Sequence, residues 1–197
     1  MFLFGLEISM GQAKTFTAAE LDAVLAFVAA RRYALRNRMM ILMSFWTGMR
    51  VGEIASLCIS DVVDTRGKVK AEIRLDASQT KGKHARTVFV PVKLRDELQV
   101  YVDPRTQLDR SLPLFMTAGG KQFSANGLTQ HFFWLYRKVG IDGASSHSGR
   151  RSFITNLASK GIGVRVLASL AGHRSIAVTQ KYIDVNDDMK RNAVELI

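Results

Sequence analysis

The chain has 197 residues, 47% hydrophobic and 23% charged, a balance that suits one large domain with a sizeable core and argues against disorder. Its 28 Lys and Arg against 17 Asp and Glu leave a net charge of +11, which favours a polyanionic partner: nucleic acid first, an anionic membrane surface second, since no long basic amphipathic helix is present. A single cysteine, Cys58, excludes an intrachain disulfide framework or Cys-ligated zinc, no apolar run reaches membrane-span length, and Met1–Ile8 lacks the marks of a signal peptide, so cytoplasmic residence is the default expectation.

Residues 1–14 read as an irregular lead-in. Thr17 with Glu20 has the pattern of a capping box, and Leu21, Val24, Leu25 and Val28 then share one helical face. A second apolar helix is expected from about Ala34 to Trp46, punctuated by Thr47-Gly48, with a short helix through about Leu57. The period then changes. Val69, Ala71, Ile73 and Leu75 alternate with Lys70, Glu72 and Arg74, as in a half-buried strand, and Thr87–Val90 forms a second strand stopped by Pro91. The polar turn Gln79–His84 between them predicts a β-hairpin with a basic tip. Helices are expected over about 93–102, 124–139, 147–160, 164–171 and 175–183, with Gly161 and Gly163 where a helix should end. The tail 186–197 could form one more, carrying Met189, Val194 and Leu196. The fold class is therefore α+β and mostly α, with a small antiparallel sheet inserted after the first helices.

Several chemistries lose support. Gly119-Gly120-Lys121 is followed by Gln122 rather than the Ser or Thr of a phosphate loop, and Gly161-x-Gly163 is followed by Val166 rather than a third dinucleotide glycine. No His-Glu-x-x-His or Gly-x-Ser-x-Gly occurs, and the four histidines are not paired at metal-ligand spacing. No metal and no cofactor are expected.

Three short segments remain. Arg50 and Glu53 lie three apart among Trp46, Met49, Val51, Ile54 and Leu57. An exposed pair of this kind is worth about 0–1 kcal/mol, but an Arg oriented by a carboxylate in apolar surroundings is suited to grip a phosphate. His147 and Arg150 repeat the spacing after Ser145 or Ser146, either of which can cap the next helix. Alone, that segment is equally a solvated basic turn. Gly172-His173 precedes Tyr182 by nine residues. Alone, each of these would be a loop histidine and a half-buried helical tyrosine.

Taken in order, Arg50, Lys81, His147-x-x-Arg150, His173 and Tyr182 resemble the tyrosine recombinase (phage integrase) family over about residues 15–190. Thr47–Leu57 looks like the family's first-arginine box, Lys81 like its hairpin lysine, and Gly172-His173 with Tyr182 is the most specific piece. The resemblance implies a helical DNA breaking-rejoining catalytic domain over 15–197, including the tail 186–197, which would pack on a neighbouring protomer. It implies Tyr182 as nucleophile, Arg50 and Arg150 on the phosphate, and His173 as a further hydrogen-bond donor. His147 would take the phenol proton or orient the phosphate, and Lys81 would be the acid to the leaving 5′-oxygen. Glu53 would hold Arg50, and Lys83, Arg86, Arg151 and Arg174 would contact DNA. The implied partner is double-stranded DNA bearing recombination sites, with self-association on it, as a tetramer in synapsis, in a bacterial or phage-encoded protein. There are two departures. Gly149 stands where the family commonly has Leu, which predicts looser packing there. The family's usual N-terminal core-binding domain is missing, so the chain is either a fragment or a short member like the fimbrial-switch invertases. Competing readings are a type IB topoisomerase-like enzyme, a catalytically idle DNA-binding module of the same fold and, more distantly, a metal-dependent nuclease.

Overall fold

The computed structural model describes residues 13–105, 109–183 and 187–195. Thr17 accepts from the Glu20 amide at 3.2 Å while Glu20 accepts from the Thr17 amide at 3.0 Å, and this reciprocal cap opens α1 (Ala18–Ala29). Its buried stripe of Leu21, Val24 and Val28 lies against the core. The next helix, α2 (Ala34–Thr47), carries five consecutive buried residues, Met39 to Met43. A helix apolar on all sides must be enclosed, and α2 packs against α1, α5 and α7. It stops at Gly48, whose φ of +65° suits a residue without a Cβ. Arg50 then serves as the first, half-turned residue of α3 (Val51–Ser56), followed by α4 (Ile59–Val62).

The hairpin pairs β1 (Glu72–Leu75) with β2 (Arg86–Phe89) antiparallel, Ile73 opposite Val88, and both of these are buried. The first strand starts three residues later than the alternation suggests. Val69 instead bridges Val63 and donates its amide to the Gln99 side chain at 2.9 Å, which draws it out of the ladder. At the tip, the Thr80 hydroxyl donates to the His84 carbonyl and accepts from its amide, closing Lys81–Lys83 into a fixed loop.

Next come α5 (Val92–Val102), α6 (Ala125–Val139), α7 (Ser148–Ser159), α8 (Val164–Ala171), α9 (Ile176–Gln180) and α10 (Asp187–Val194). Among the described residues the fold is mostly helical with one two-stranded antiparallel sheet, the expected class. Two details differ from expectation. Neither Ser145 nor Ser146 stands at the N-cap of α7; His147 holds that position without a side-chain capping bond, and the Ser145 hydroxyl accepts from the His147 amide in the turn before it. And α9 ends at Gln180, so Tyr182 sits in the turn beyond it, with its amide on the Thr179 carbonyl at 2.9 Å. In the tail, Val194 is exposed, while the Met189 side chain and Leu196 lie outside the described residues.

Gly149 decides how α7 meets α2. A Cβ there would lie 2.6 Å from the Ser44 Oγ and 3.2 Å from the Phe45 amide nitrogen. The packing is therefore tighter than the presence of glycine suggests, and it is what brings Arg150 to the end of α2.

Candidate active site

The site is organised around Glu53, which is 1% exposed. Its carboxylate accepts from the Arg50 amide at 2.8 Å and the Arg50 Nη1 at 2.9 Å, and from the Arg86 Nε at 3.2 Å and Nη2 at 2.7 Å. Burial alone would raise its pKa; the hydrogen bond and charge of Arg86, followed by Arg50, outweigh this and hold the carboxyl below its ordinary value. Two charged donors justify a buried carboxylate that one exposed pair could not.

The same guanidiniums reach across to α8. Arg86 donates to the Leu170 carbonyl at 3.0 Å, Arg150 to Ala171 at 2.6 Å and Arg50 to Gly172 at 3.1 Å. Three successive carbonyls at a helix C-terminus, the negative end of its dipole, thus meet three cations. Arg150 also donates to the Gly48 carbonyl, so it ties the end of α2 to the end of α8. Arg150 is 4% exposed, and burial, with Arg50 next, lowers its pKa to about 9.

Three adjoining clefts open above this network. Arg50, Lys81, His173 and Arg174 line one of about 550 Å³. Arg50, Lys81 and His147 line a second of about 390 Å³, and His147, Arg151 and Tyr182 a third of about 260 Å³. Shared walls make them one basin, with Arg150 buried close enough for its charge to act on both histidines. Six residues from five separate segments therefore converge: Arg50, Lys81, His147, Arg150, His173 and Tyr182.

Burial, then Arg150, Lys81 and Arg50, pushes the His147 pKa down. Burial, then Arg150, Arg50 and Arg86, pushes His173 to about 4. Both imidazoles are neutral at pH 7, so one can accept a proton and the other donate a hydrogen bond without carrying charge. The His173 and Tyr182 rings stack at 5.8 Å, with 19° between their planes.

The remaining basic residues divide. Lys83 is exposed on the hairpin tip with φ 52°. Arg174 donates to the Gly82 carbonyl, which ties the tip carrying Lys81 to the loop carrying His173. Arg151 lies over the Tyr182 ring at 5.6 Å and donates to the Thr15 hydroxyl at 3.1 Å. Arg86, read from sequence as a DNA contact, has a side chain only 10% exposed and all three of its nitrogens bonded within the protein. Sequence reasoning also passed over Thr179, a buried residue whose hydroxyl lies 2.8 Å from the His173 Nδ1. No spacing rule points to a pair that meets only because a turn intervenes.

A family model described as the phage integrase family matches residues 14–189. This chain belongs to the phage integrase family. Among members, tyrosine recombinase XerA of Pyrococcus furiosus is 30% identical over 187 residues, covering 92% of this chain and 61% of that protein. The chain thus spans about three fifths of that relative. A crystal structure of XerA recombinase superposes with a TM-score of 0.75 at 25% identity, covering 94% of this chain and 65% of the other. The integrase of transposon Tn1549, solved with transposon right-end DNA, has the same fold: TM-score 0.72, 19% identity, covering 98% and 68% of the two chains.

Proposed function

We propose that this integrase-family chain cuts and rejoins duplex DNA at specific sites through a 3′-phosphotyrosyl link on Tyr182. The observation that carries the reading is the convergence of one phenol, two imidazoles, one lysine and the Arg50 guanidinium on adjoining clefts, with the buried Arg150 close enough for its charge to act on both imidazoles. The Tyr182 oxygen attacks phosphorus and the bond to the 5′-oxygen breaks. His147, neutral at pH 7, takes the phenol proton or orients the phosphate; Lys81 protonates the leaving oxygen. Arg50 and Arg150, each held from behind by protein acceptors, keep further N–H groups for the non-bridging oxygens. They supply the charge that a metal ion would otherwise supply, so the reaction needs none. The covalent link conserves the bond energy, and a second 5′-hydroxyl displaces Tyr182 without ATP.

Family membership, the net charge of +11 and the DNA bound in the Tn1549 neighbour support duplex DNA as substrate. Exchange needs two cleavages per site on two sites, hence four protomers in the productive assembly. The test is covalent capture with EDTA present, on a nicked duplex selected from a random-sequence pool by binding to this protein. Wild type should form a protein–DNA adduct and Tyr182→Phe none. DNA binding without an adduct from either would leave a binding module of the same fold. Adduct formation followed only by relaxation of supercoiled plasmid would favour the topoisomerase-like reading.

A further inference from the structure

We infer that Thr179 is a positioning residue that fixes His173 in the tautomer carrying its proton on Nε2. The Thr179 hydroxyl lies 2.8 Å from the His173 Nδ1, and Thr179 is 0% exposed. Two arrangements fit that distance. If Nδ1–H donates, the hydroxyl proton needs another acceptor, and among the described residues no second bond to this hydroxyl is present. A buried donor left unpaired costs about 1–3 kcal/mol. If the hydroxyl donates to Nδ1, that cost vanishes and the ring proton must sit on Nε2. The second arrangement therefore holds.

The consequence lies in the site. A histidine with its pKa pushed to about 4 is neutral at pH 7 and has one ring proton. With that proton on Nε2, the ring donates away from Thr179, toward the basin that His173 lines. With it on Nδ1, the ring would present a lone pair there and repel a phosphate oxygen. Thr179 also accepts the Tyr182 amide on its carbonyl, so a single residue sets the His173 proton and the start of the Tyr182 turn. This inference rests on the phosphotyrosyl reading only for its consequence; the tautomer stands on geometry.

The test has two arms on the full chain. Nitrogen-15 correlation spectra at pH 7, with His173 assigned by loss of its signal in His173→Gln, read the tautomer without DNA. Wild type and Thr179→Ser should show a single Nε2–H form, and Thr179→Val should lose it. Adduct formation on the selected nicked duplex should slow by about 10-fold or more in Thr179→Val, since outright loss of one oriented donor costs about 100-fold or more, and Thr179→Ser should restore it. An Nδ1–H or mixed tautomer in wild type overturns the inference, as does a Thr179→Val protein that reacts at the wild-type rate. If Thr179→Val does not fold, the wild-type spectrum decides. A wild type that shows Nε2–H yet forms no adduct refutes the phosphotyrosyl reading and upholds the tautomer.

Discussion

A buried carboxylate demands cations, and Glu53 has Arg50 and Arg86 on its two oxygens. The spacing of Arg50 and Glu53 makes their pairing legible in sequence; the burial is not, nor is the third member, because Arg86 arrives from a strand 33 residues on. Arg86→Met should therefore act on stability. Leaving part of a buried charge cluster unpaired costs about 3 kcal/mol or more, measured as a lower urea midpoint with unchanged slope. Lys83→Gln should behave oppositely. Lys83 is exposed on the hairpin tip, so the substitution should leave unfolding within about 0.5 kcal/mol of wild type. It should also make the log–log salt slope of DNA binding about 0.9 less steep, the change expected when one phosphate is no longer neutralised. A full slope in Lys83→Gln would remove it from the DNA-contacting residues.

At the scale of elements, the packing of α7 on α2 determines where Arg150 ends up. Sequence reasoning takes Gly149 as a loosening change; the structure makes it the residue that permits close approach, because the facing Ser44 hydroxyl already occupies the space of a Cβ. Gly149→Ala should destabilise by about 1–3 kcal/mol through overpacking, read as a lower thermal midpoint, with a larger loss for Leu. Ser44→Ala removes a buried hydroxyl that has no hydrogen-bond partner among the described residues, and its thermal midpoint should stay level or rise. Both capping-box α1 and apolar α2 were readable as elements because their signals are local: a three-residue cap and a long apolar period. The early end of α9 was not. Its polar turn continues the helical pattern, and the interactions that take Tyr182 out of it come from elsewhere, including Thr155 on α7, whose hydroxyl donates to the Tyr182 carbonyl at 3.2 Å.

For the whole molecule, charge and acid behaviour follow from how groups are shared between solvent and core. His131 is pushed to about 4 by burial, with Arg36 adding to it, and His173 to about 4 likewise; His147 moves the same way. Between about 4 and the ordinary histidine value, the unfolded chain binds more protons than the folded one, so stability rises with pH across that window and is lost on acidification through it. Glu53, held below its ordinary value, adds a further loss at lower pH as it protonates. Urea midpoints at pH 7 should accordingly exceed those at pH 5. His131→Gln should flatten the difference, since its ring is hydrogen-bonded to Asn37 rather than placed in the basin. A pH dependence unchanged by the substitution would mean that His131 has the same pKa in the folded and unfolded chains.

The six residues that the structure brings together were singled out in sequence by their likeness to the family's ordered segments, and the mostly helical class by local period, because residue identity and period need no third dimension. Their division of labour was not legible there. Whether a basic side chain faces solvent or a buried carboxylate depends on which distant segment covers it. That is why Lys83 stays exposed while Arg86 is enclosed against Glu53 and the end of α8. The same holds for Thr179, whose role exists only because the Gly172 turn folds His173 back onto the helix that precedes Tyr182.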